Sequence, residues 1–264
     1  MPTAQIHKTR EIAAERVDRL RAILRENAIV RVDELCATLQ VSPATVRRDL
    51  EELERLGEAR RVHGGAVSVG EKRYEEPFFD DKAAFAKSEK QRIARKALEL
   101  IAPRDTIYLD GGSTALELAR LLRDYGGAIT IVTNSLRAAT ELAGSGPQLI
   151  LIGGELRRLS QTMVGPLTRL MLEPMHIDKA FMGTIGLSLK AGLTTTDAGE
   201  AYTKELVMER ASEVILLADS NKVGVVTFAQ AGKLSQLDVL VTDAPLPRDY
   251  EEYCEANDVR VMVA

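Results

Sequence analysis

The chain has no tryptophan, and aromatic residues make up only 4% of its 264 residues. That leaves few stacking platforms and speaks against a binder of single-stranded nucleic acid, which depends on them. Cysteine is nearly absent. Cys36 and Cys254 lie far apart and give neither a disulfide framework nor a zinc spacing. His7, His63 and His176 are scattered, so no metal site is expected. No apolar run approaches the roughly 18 residues of a membrane span. The longest, Leu149–Ile152 and Val214–Ala218, are strand-sized. Met1–Arg10 is polar and lacks the apolar stretch of a secretory signal, so the expected location is the cytoplasm, with no membrane partner. There is no Gly-x-x-x-x-Gly-Lys-Ser/Thr loop, no Gly-x-Gly-x-x-Gly opening a helix and no Gly-x-Ser-x-Gly elbow. Nucleotide cofactors and serine hydrolysis therefore have no motif support.

A basic excess is missing as well, since the net charge is −4. The average hides an asymmetry. Residues 1–73 hold 14 of the 35 Lys and Arg and 12 of the 39 Asp and Glu, a net of +2, which leaves −6 for the remainder. An acidic body with one basic edge confines any DNA contact to that edge.

What is present divides in two. The first part reads as helices. Val17, Leu20, Ile23 and Leu24 place an apolar face on residues 12–26, and Leu35, Cys36 and Leu39 do so on 33–39. Ser42-Pro43 is a strong helix start, a capping serine followed by proline at the first helical position. The helix it opens buries Val46, Leu50, Leu53 and Leu56 and stops at Gly57. Helix, tight break, helix is the spacing of a helix-turn-helix. The opposite face of the third helix carries Ala44, Arg48, Glu51 and Arg55, with Thr45 and Arg47 on its shoulders. Carboxylates crowd its later turns, so its N-terminal end, from Ser42 on, is expected to enter a DNA groove. Residues 59–67 read as two strands around a glycine turn, a wing offering Arg60, Arg61 and His63. The bland reading is a solvated three-helix bundle. The Ser-Pro cap, short turn and basic wing together favour DNA.

Residues 68–85 lack periodicity, and the linker is placed at 70–87. Ser88 with Gln91 reads as a capping box opening a helix to about residue 101. Beyond it, strands at 106–110, 129–133, 148–152, 179–182, 213–218, 238–242 and 259–263 alternate with helices at 113–123, 136–143, 166–172, 199–211 and 248–257. Such alternation means a mostly parallel sheet covered on both faces. The expected architecture is a small α+β domain at 12–69, with its helix-turn-helix at about 30–49, followed by an α/β domain at 88–264.

Ligands of open α/β sheets bind beyond the carboxyl ends of the strands. Asp110-Gly111-Gly112-Ser113-Thr114 joins a strand to a helix there. It reads equally as an ordinary tight turn or as an anion site at a helix start. Thr133-Asn134-Ser135 alone reads as a helix cap. Gly153-Gly154-Glu155 is weak singly. Asp197, Glu200, Lys204 and Glu205 read as a solvated helix face with an i,i+4 pair. Lys222, after a buried strand, is either a phosphate partner or a surface lysine.

These residues resemble a known family. Arg31-Val32-Asp33-Glu34-Leu35, Val41-Ser42-Pro43-Ala44-Thr45-Val46-Arg47-Arg48-Asp49-Leu50 and Arg61-Val62-His63-Gly64-Gly65-Ala66 look like the DeoR family of bacterial sugar-metabolism repressors. So do Asp110 to Thr114, Thr133-Asn134-Ser135, Gly153-Gly154-Glu155-Leu156-Arg157, Gly192-Leu193-Thr194-Thr195 and Ala218-Asp219-Ser220-Asn221-Lys222. The resemblance spans about 13–244. It implies a winged helix-turn-helix joined to a ribose-5-phosphate isomerase-like sensor, which binds a phosphorylated sugar and is thereby relieved of repression. By motif match the effector candidates are Asp110, Gly111, Gly112, Ser113, Thr114, Asn134, Gly153, Gly154, Asp197 and Lys222. The isomerases' lysine loop has no counterpart in Gly192-Leu193-Thr194-Thr195-Thr196, although Glu205 falls near their glutamate. The expectation is a sensor without catalytic residues or cofactor, acting on double-stranded operator DNA as a dimer or tetramer. The rivals are a sugar-phosphate isomerase with a DNA-binding appendage, betrayed by turnover, and a structural DNA binder, betrayed by indifference to sequence.

Overall fold

The computed structural model describes residues 13–26, 29–62, 65–68 and 76–264. The chain divides into two compact units, the second of which begins at Glu76.

In the first unit α1 (Ala13–Glu26), β1 (Ile29–Arg31), α2 (Val32–Leu39), α3 (Pro43–Arg55), β2 (Ala59–Val62) and β3 (Gly65–Ser68) follow in order. The strands form an antiparallel sheet with β3 in the middle. Leu20, Leu24, Leu35, Leu39, Val46, Leu50 and Leu53 close one apolar core against Val30, Ala59 and Ala66. The start of α3 follows from local chemistry. Ser42 Oγ accepts the Thr45 amide at 3.3 Å, and Pro43 occupies the first turn. The stop does too, since Gly57 adopts the left-handed conformation (φ +71°) that suits glycine. Leu56, expected in the core, is instead exposed, because it lies past the last helical turn. At Gly65 a side chain has no room: a Cβ would lie 2.0 Å from the Val30 carbonyl oxygen on the neighbouring strand. His63 lies outside the described residues.

One charged group is buried here. Asp49 is held by a two-pronged contact from Arg16, at 2.6 and 3.0 Å. Removing one member of a buried pair strands the other, at a cost of about 3 kcal/mol. Arg16→Ala should therefore lower the unfolding free energy of the first unit by that amount, and a denaturant titration followed by circular dichroism checks it.

The second unit comprises α4 (Phe79–Ala84), α5 (Lys87–Leu98), β4 (Thr106–Leu109), α6 (Ser113–Leu122), β5 (Thr130–Thr133), α7 (Leu136–Leu142), β6 (Gln148–Leu151), β7 (Glu155–Arg157), β8 (Thr162–Val164), α8 (Arg169–Leu172), β9 (Ile177–Met182), β10 (Gly186–Ser188), β11 (Gly192–Thr195), α9 (Ala198–Arg210), β12 (Ala211–Leu217), β13 (Ala229–Gly232), β14 (Val239–Thr242), α10 (Arg248–Ala256) and β15 (Arg260–Val263). Seven strands form one parallel sheet in the order β15-β14-β12-β9-β4-β5-β6. Side chains of a strand alternate between faces. Ile107 and Leu109 accordingly join a core under α5, α6 and α7, while Tyr108 joins a second core with α9 and α10. Short antiparallel sheets, β10-β11-β13 and β7-β8, are added beside this frame.

Two expectations at the start of this unit are corrected. Residues 76–87 are no linker but part of the second unit, because Phe79 is buried and Glu76 is held by several polar partners. The Ser88–Gln91 capping box is not formed. The helix begins at Lys87 after a left-handed Ala86, and Ser88 Oγ donates to the Glu89 carboxylate.

Candidate functional site

Parallel strands deliver all their carboxyl ends to one edge of the sheet. Five segments converge there. Gly111–Ala115 leads from β4 into α6, Gly183–Ile185 follows β9, Leu217 ends β12 and Lys222 lies in the turn after it, α9 supplies Glu200 and Lys204, and Glu76 and Lys82 come from around α4. Together they line a cavity of about 50 Å³.

One end is built for an anion. The N-cap of α6 is Gly112, which has no side chain to occupy the helix start. The amides of the first turn therefore face outward without intrahelical partners and carry the positive end of the helix dipole. Lys222 adds an ammonium group. Gly111 is a close approach, since a Cβ there would lie 1.9 Å from Thr162 Cγ2. Lys90 lies behind, buried, donating to the Phe85 carbonyl at 2.6 Å and to that of Lys82. Burial, reinforced by the charges of Lys222 and Lys82, brings its pKa down to about 8 despite Asp219 and Glu117.

The other end is a buried network of charge. Lys204 Nζ donates to the Asp110 carboxylate and, at 3.0 Å, to the Gly183 carbonyl, while Asp110 accepts the Gly183 amide at 2.8 Å. Burial opposes the Lys204 charge, but Asp110 and Glu200 outweigh it and raise its pKa. Glu200 accepts from Thr195, and burial pushes its carboxyl up. Glu76, 1% exposed at its side chain, takes Lys82, Arg157 (2.5 Å) and the Thr196 hydroxyl. Burial opposes its charge too, yet these three partners hold it down to about 2. A carboxyl depressed from 4.5 to about 2 contributes of the order of 3 kcal/mol to folding. That contribution is complete above pH about 4.5 and is lost as pH falls through about 2. Acid unfolding of Glu76→Gln should be flatter over this window than that of the parent.

Of the residues expected from sequence, Gly111, Gly112, Ser113, Thr114 and Lys222 meet in the cavity. Asp110 lies beneath it, committed to Lys204. Asn134 is buried, its Nδ2 donating to the Met163 carbonyl at 2.9 Å; its Oδ1, 3.5 Å from where a Gly111 Cβ would be, has no partner. The cap that follows is made by Ser135, whose Oγ accepts the Ala138 amide. Asp197 caps α9 through the Glu200 amide at 2.8 Å and touches Arg157 at 3.5 Å, outside the cavity lining. Gly153 and Gly154 are not in the site. Gly153 faces Met171, and Gly154 is a tight crossing against Thr168 and Val164.

Glu76, Lys82, Arg157, Glu200 and Lys204 were missed as site residues. The Glu200–Lys204 spacing is not a solvated pair: both are buried, whereas Glu205 is exposed. A usable signal was the apolar neighbourhood of that helix, where Ala201, Leu206, Val207 and Met208 leave no polar face for Lys204 to join.

In the first unit Ser42, Ala44, Arg47 and Arg48 are exposed at the start of α3 and Thr45 is half-buried, its hydroxyl 2.9 Å from Ser42 Oγ. Burial of Asp49 under Arg16 removes a negative charge from this end. Glu51, Glu52 and Glu54 leave the later turns acidic, and Glu52 pairs with Arg55 at 2.6 Å. Arg60 and Arg61 lie in β2, paired with Val67 and Ala66 of β3.

Residues 16–72 match the DeoR-like helix-turn-helix domain, and residues 86–244 match the DeoR C terminal sensor domain. The chain belongs to the DeoR family. It is a DNA-binding transcriptional regulator. The HTH-type transcriptional regulator GlpR of Haloferax volcanii is 37% identical over 95% of this chain and 98% of that protein. The lactose phosphotransferase system repressor of Streptococcus mutans is 37% identical over 87% of this chain and 91% of that one. Among solved structures, ribose 5-phosphate isomerase A of Methanocaldococcus jannaschii is 20% identical over 52% of this chain and 54% of that chain, at a TM-score of 0.40. A likeness that distant has no bearing on activity. Among the described residues no helix is long and apolar enough to cross a membrane.

Proposed function

We propose that this DeoR-family protein represses a carbohydrate-metabolism operon and is released by a phosphorylated sugar or related metabolite bound in the second unit. The observation that carries the reading is the pairing, in one cavity, of an uncapped helix start and Lys222 with a bank of buried carboxylates. A phosphate suits the first, where amides and a lysine supply charge. Hydroxyls suit the second, where carboxylates accept hydrogen bonds. Two relatives are named as repressors, the lactose phosphotransferase system repressor above, whose name carries a sugar, and the putative aga operon transcriptional repressor of Escherichia coli O157:H7, which is 32% identical over 95% of this chain.

The protein acts as a sensor without catalysis. Lys204 is already committed to Asp110 and to a backbone carbonyl, and Glu205, the candidate base, is exposed and does not line the cavity as Glu200 and Lys204 do. Thermal shift across a panel of phosphorylated sugars tests the reading. A ligand at 100 times its Kd stabilises the folded form by about 2.7 kcal/mol. Unphosphorylated counterparts should give no shift, and turnover of any panel member would favour an isomerase.

One recognition helix covers too few base pairs for selectivity in a genome, so the working form is a homo-oligomer, dimer or tetramer. Sedimentation at micromolar concentration should show no monomer on operator DNA; a monomer alone would refute this.

A further inference from the structure

The cavity is smaller than its proposed occupant requires. About 50 Å³ accommodates a few waters, whereas pockets for small organic ligands run to roughly 300 Å³ and more. Room for a larger ligand would come from moving a group that now lines the space. The carboxylate of Glu76 is the group in question. It belongs to the first described residue of the second unit, yet it is buried among donors that α4, β7 and the β11–α9 turn supply: Lys82 Nζ, the Arg157 guanidinium and the Thr196 hydroxyl. Three convergent donors around one carboxylate are what an anion subsite consists of.

The rest of the segment is fastened independently of Glu76. Phe79 is buried, with Arg137 over its ring at 5.4 Å, and Lys90 ties down the Lys82 and Phe85 carbonyls. Residues 76–77 can therefore leave while α4, capped by Phe78, stays. Arg157 keeps other partners, Asp197 at 3.5 Å and Glu200 at 3.9 Å, so it does not collapse when Glu76 departs. The Phe78 side chain is 70% exposed, and Phe78 stays with α4 through its carbonyl, which accepts the Lys82 amide at 3.1 Å.

We propose that Glu76 is a tethered stand-in for an acidic group of the effector, occupying a subsite made by Lys82, Arg157 and Thr196, and that the effector is a phosphorylated hydroxy acid whose carboxylate displaces it. The proposal rests on the effector reading of the cavity and adds the second acidic group. It also supplies a route for the signal. The displaced residue is where the chain enters the second unit, so exchanging one carboxylate for another changes how that chain is held. A ligand reaching only the α6 end leaves Glu76 in place.

The test uses a matched pair of probes, 3-phosphoglycerate and glycerol 3-phosphate, which differ by a carboxylate against a CH₂OH. Binding to the full chain is measured by calorimetry. A charged hydrogen bond is worth roughly a factor of ten or more. Glu76→Gln should thus bind 3-phosphoglycerate about tenfold or more tighter than the parent, while glycerol 3-phosphate should change by less than about threefold. Equal shifts for the two probes, or none, overturn the proposal. A second measurement needs no variant. In the parent, 3-phosphoglycerate should speed amide exchange in the peptide covering residues 76–86, and glycerol 3-phosphate should not. Slowing, or the same response to both, overturns it. If both probes bind and both lose affinity in Lys222→Ala but neither responds to Glu76→Gln, the effector reading stands and this inference falls. If neither binds the parent or Glu76→Gln, this inference falls, and the effector reading is decided by the panel of phosphorylated sugars.

Discussion

Lys222→Ala should leave operator affinity within about twofold of the parent and weaken a phosphorylated effector by roughly ten- to a hundredfold, the range of one charge-assisted hydrogen bond. Lys222 is half-buried in the turn after β12 and lines the cavity opposite the start of α6. Its ammonium meets no competing phosphate until ligand arrives, so its loss should subtract from ligand binding alone. In cells the variant would repress and fail to induce. The measurement is a dose–response of operator release with the panel member that gives the largest thermal shift. An unchanged midpoint would make Lys222 a surface lysine. A weaker operator complex without ligand would mean that it supports the fold rather than the effector.

Arg48→Ala should cost the operator complex about 1–3 kcal/mol if the guanidinium makes a two-pronged guanine contact. Arg48 is exposed in the N-terminal half of α3, one turn after Ala44 on the same stripe. The groove beside it also carries the carboxylates of Asp18, Glu51 and Glu52, along with Arg21 and Arg55. Those carboxylates repel phosphates and press the DNA towards the helix start. Losses of Arg60 and Arg61 should instead weaken binding across sequences alike and flatten its salt dependence, as expected of phosphate contacts. Equal affinity of a folded Arg48→Ala for specific and random DNA, compared with the parent, checks the assignment. Unchanged specific affinity removes Arg48 from the interface.

What was legible in the sequence was local. Ser42-Pro43 announces α3 because a capped, proline-led start needs no distant partner. The strands of the parallel sheet announce themselves because both faces are buried, so Val214–Leu217 and Val239–Val241 are apolar throughout. Gly111, Gly112 and Lys222 could be placed on one edge because parallel strands end together. What was illegible depended on distance along the chain. Glu76 is buried by Arg157 and Thr196, 81 and 120 positions away, and without them it reads as one more linker carboxylate. Glu200 and Lys204 have helical spacing and so look like a surface pair; only the packing of α9 over the sheet, with Asp110 beneath, turns them inward. Gly153 and Gly154 failed for the converse reason. A glycine pair after a strand looks like a ligand loop, but here it lets the backbone cross Thr168 and Val164. The short strands of the β10-β11-β13 and β7-β8 sheets also escaped notice, being only three or four residues long.

A switch requires that the ligand favour one state over the other, since equal affinity for both would change nothing. The most direct measurement is therefore fluorescence anisotropy of DNA selected by the full-length protein from a random library, titrated with phosphorylated sugars and their unphosphorylated counterparts. The account predicts that at least one phosphorylated compound lowers operator affinity tenfold or more, about 1.4 kcal/mol of differential binding, while its unphosphorylated counterpart has no effect. Unchanged anisotropy with every compound that shifts the melting temperature would contradict it.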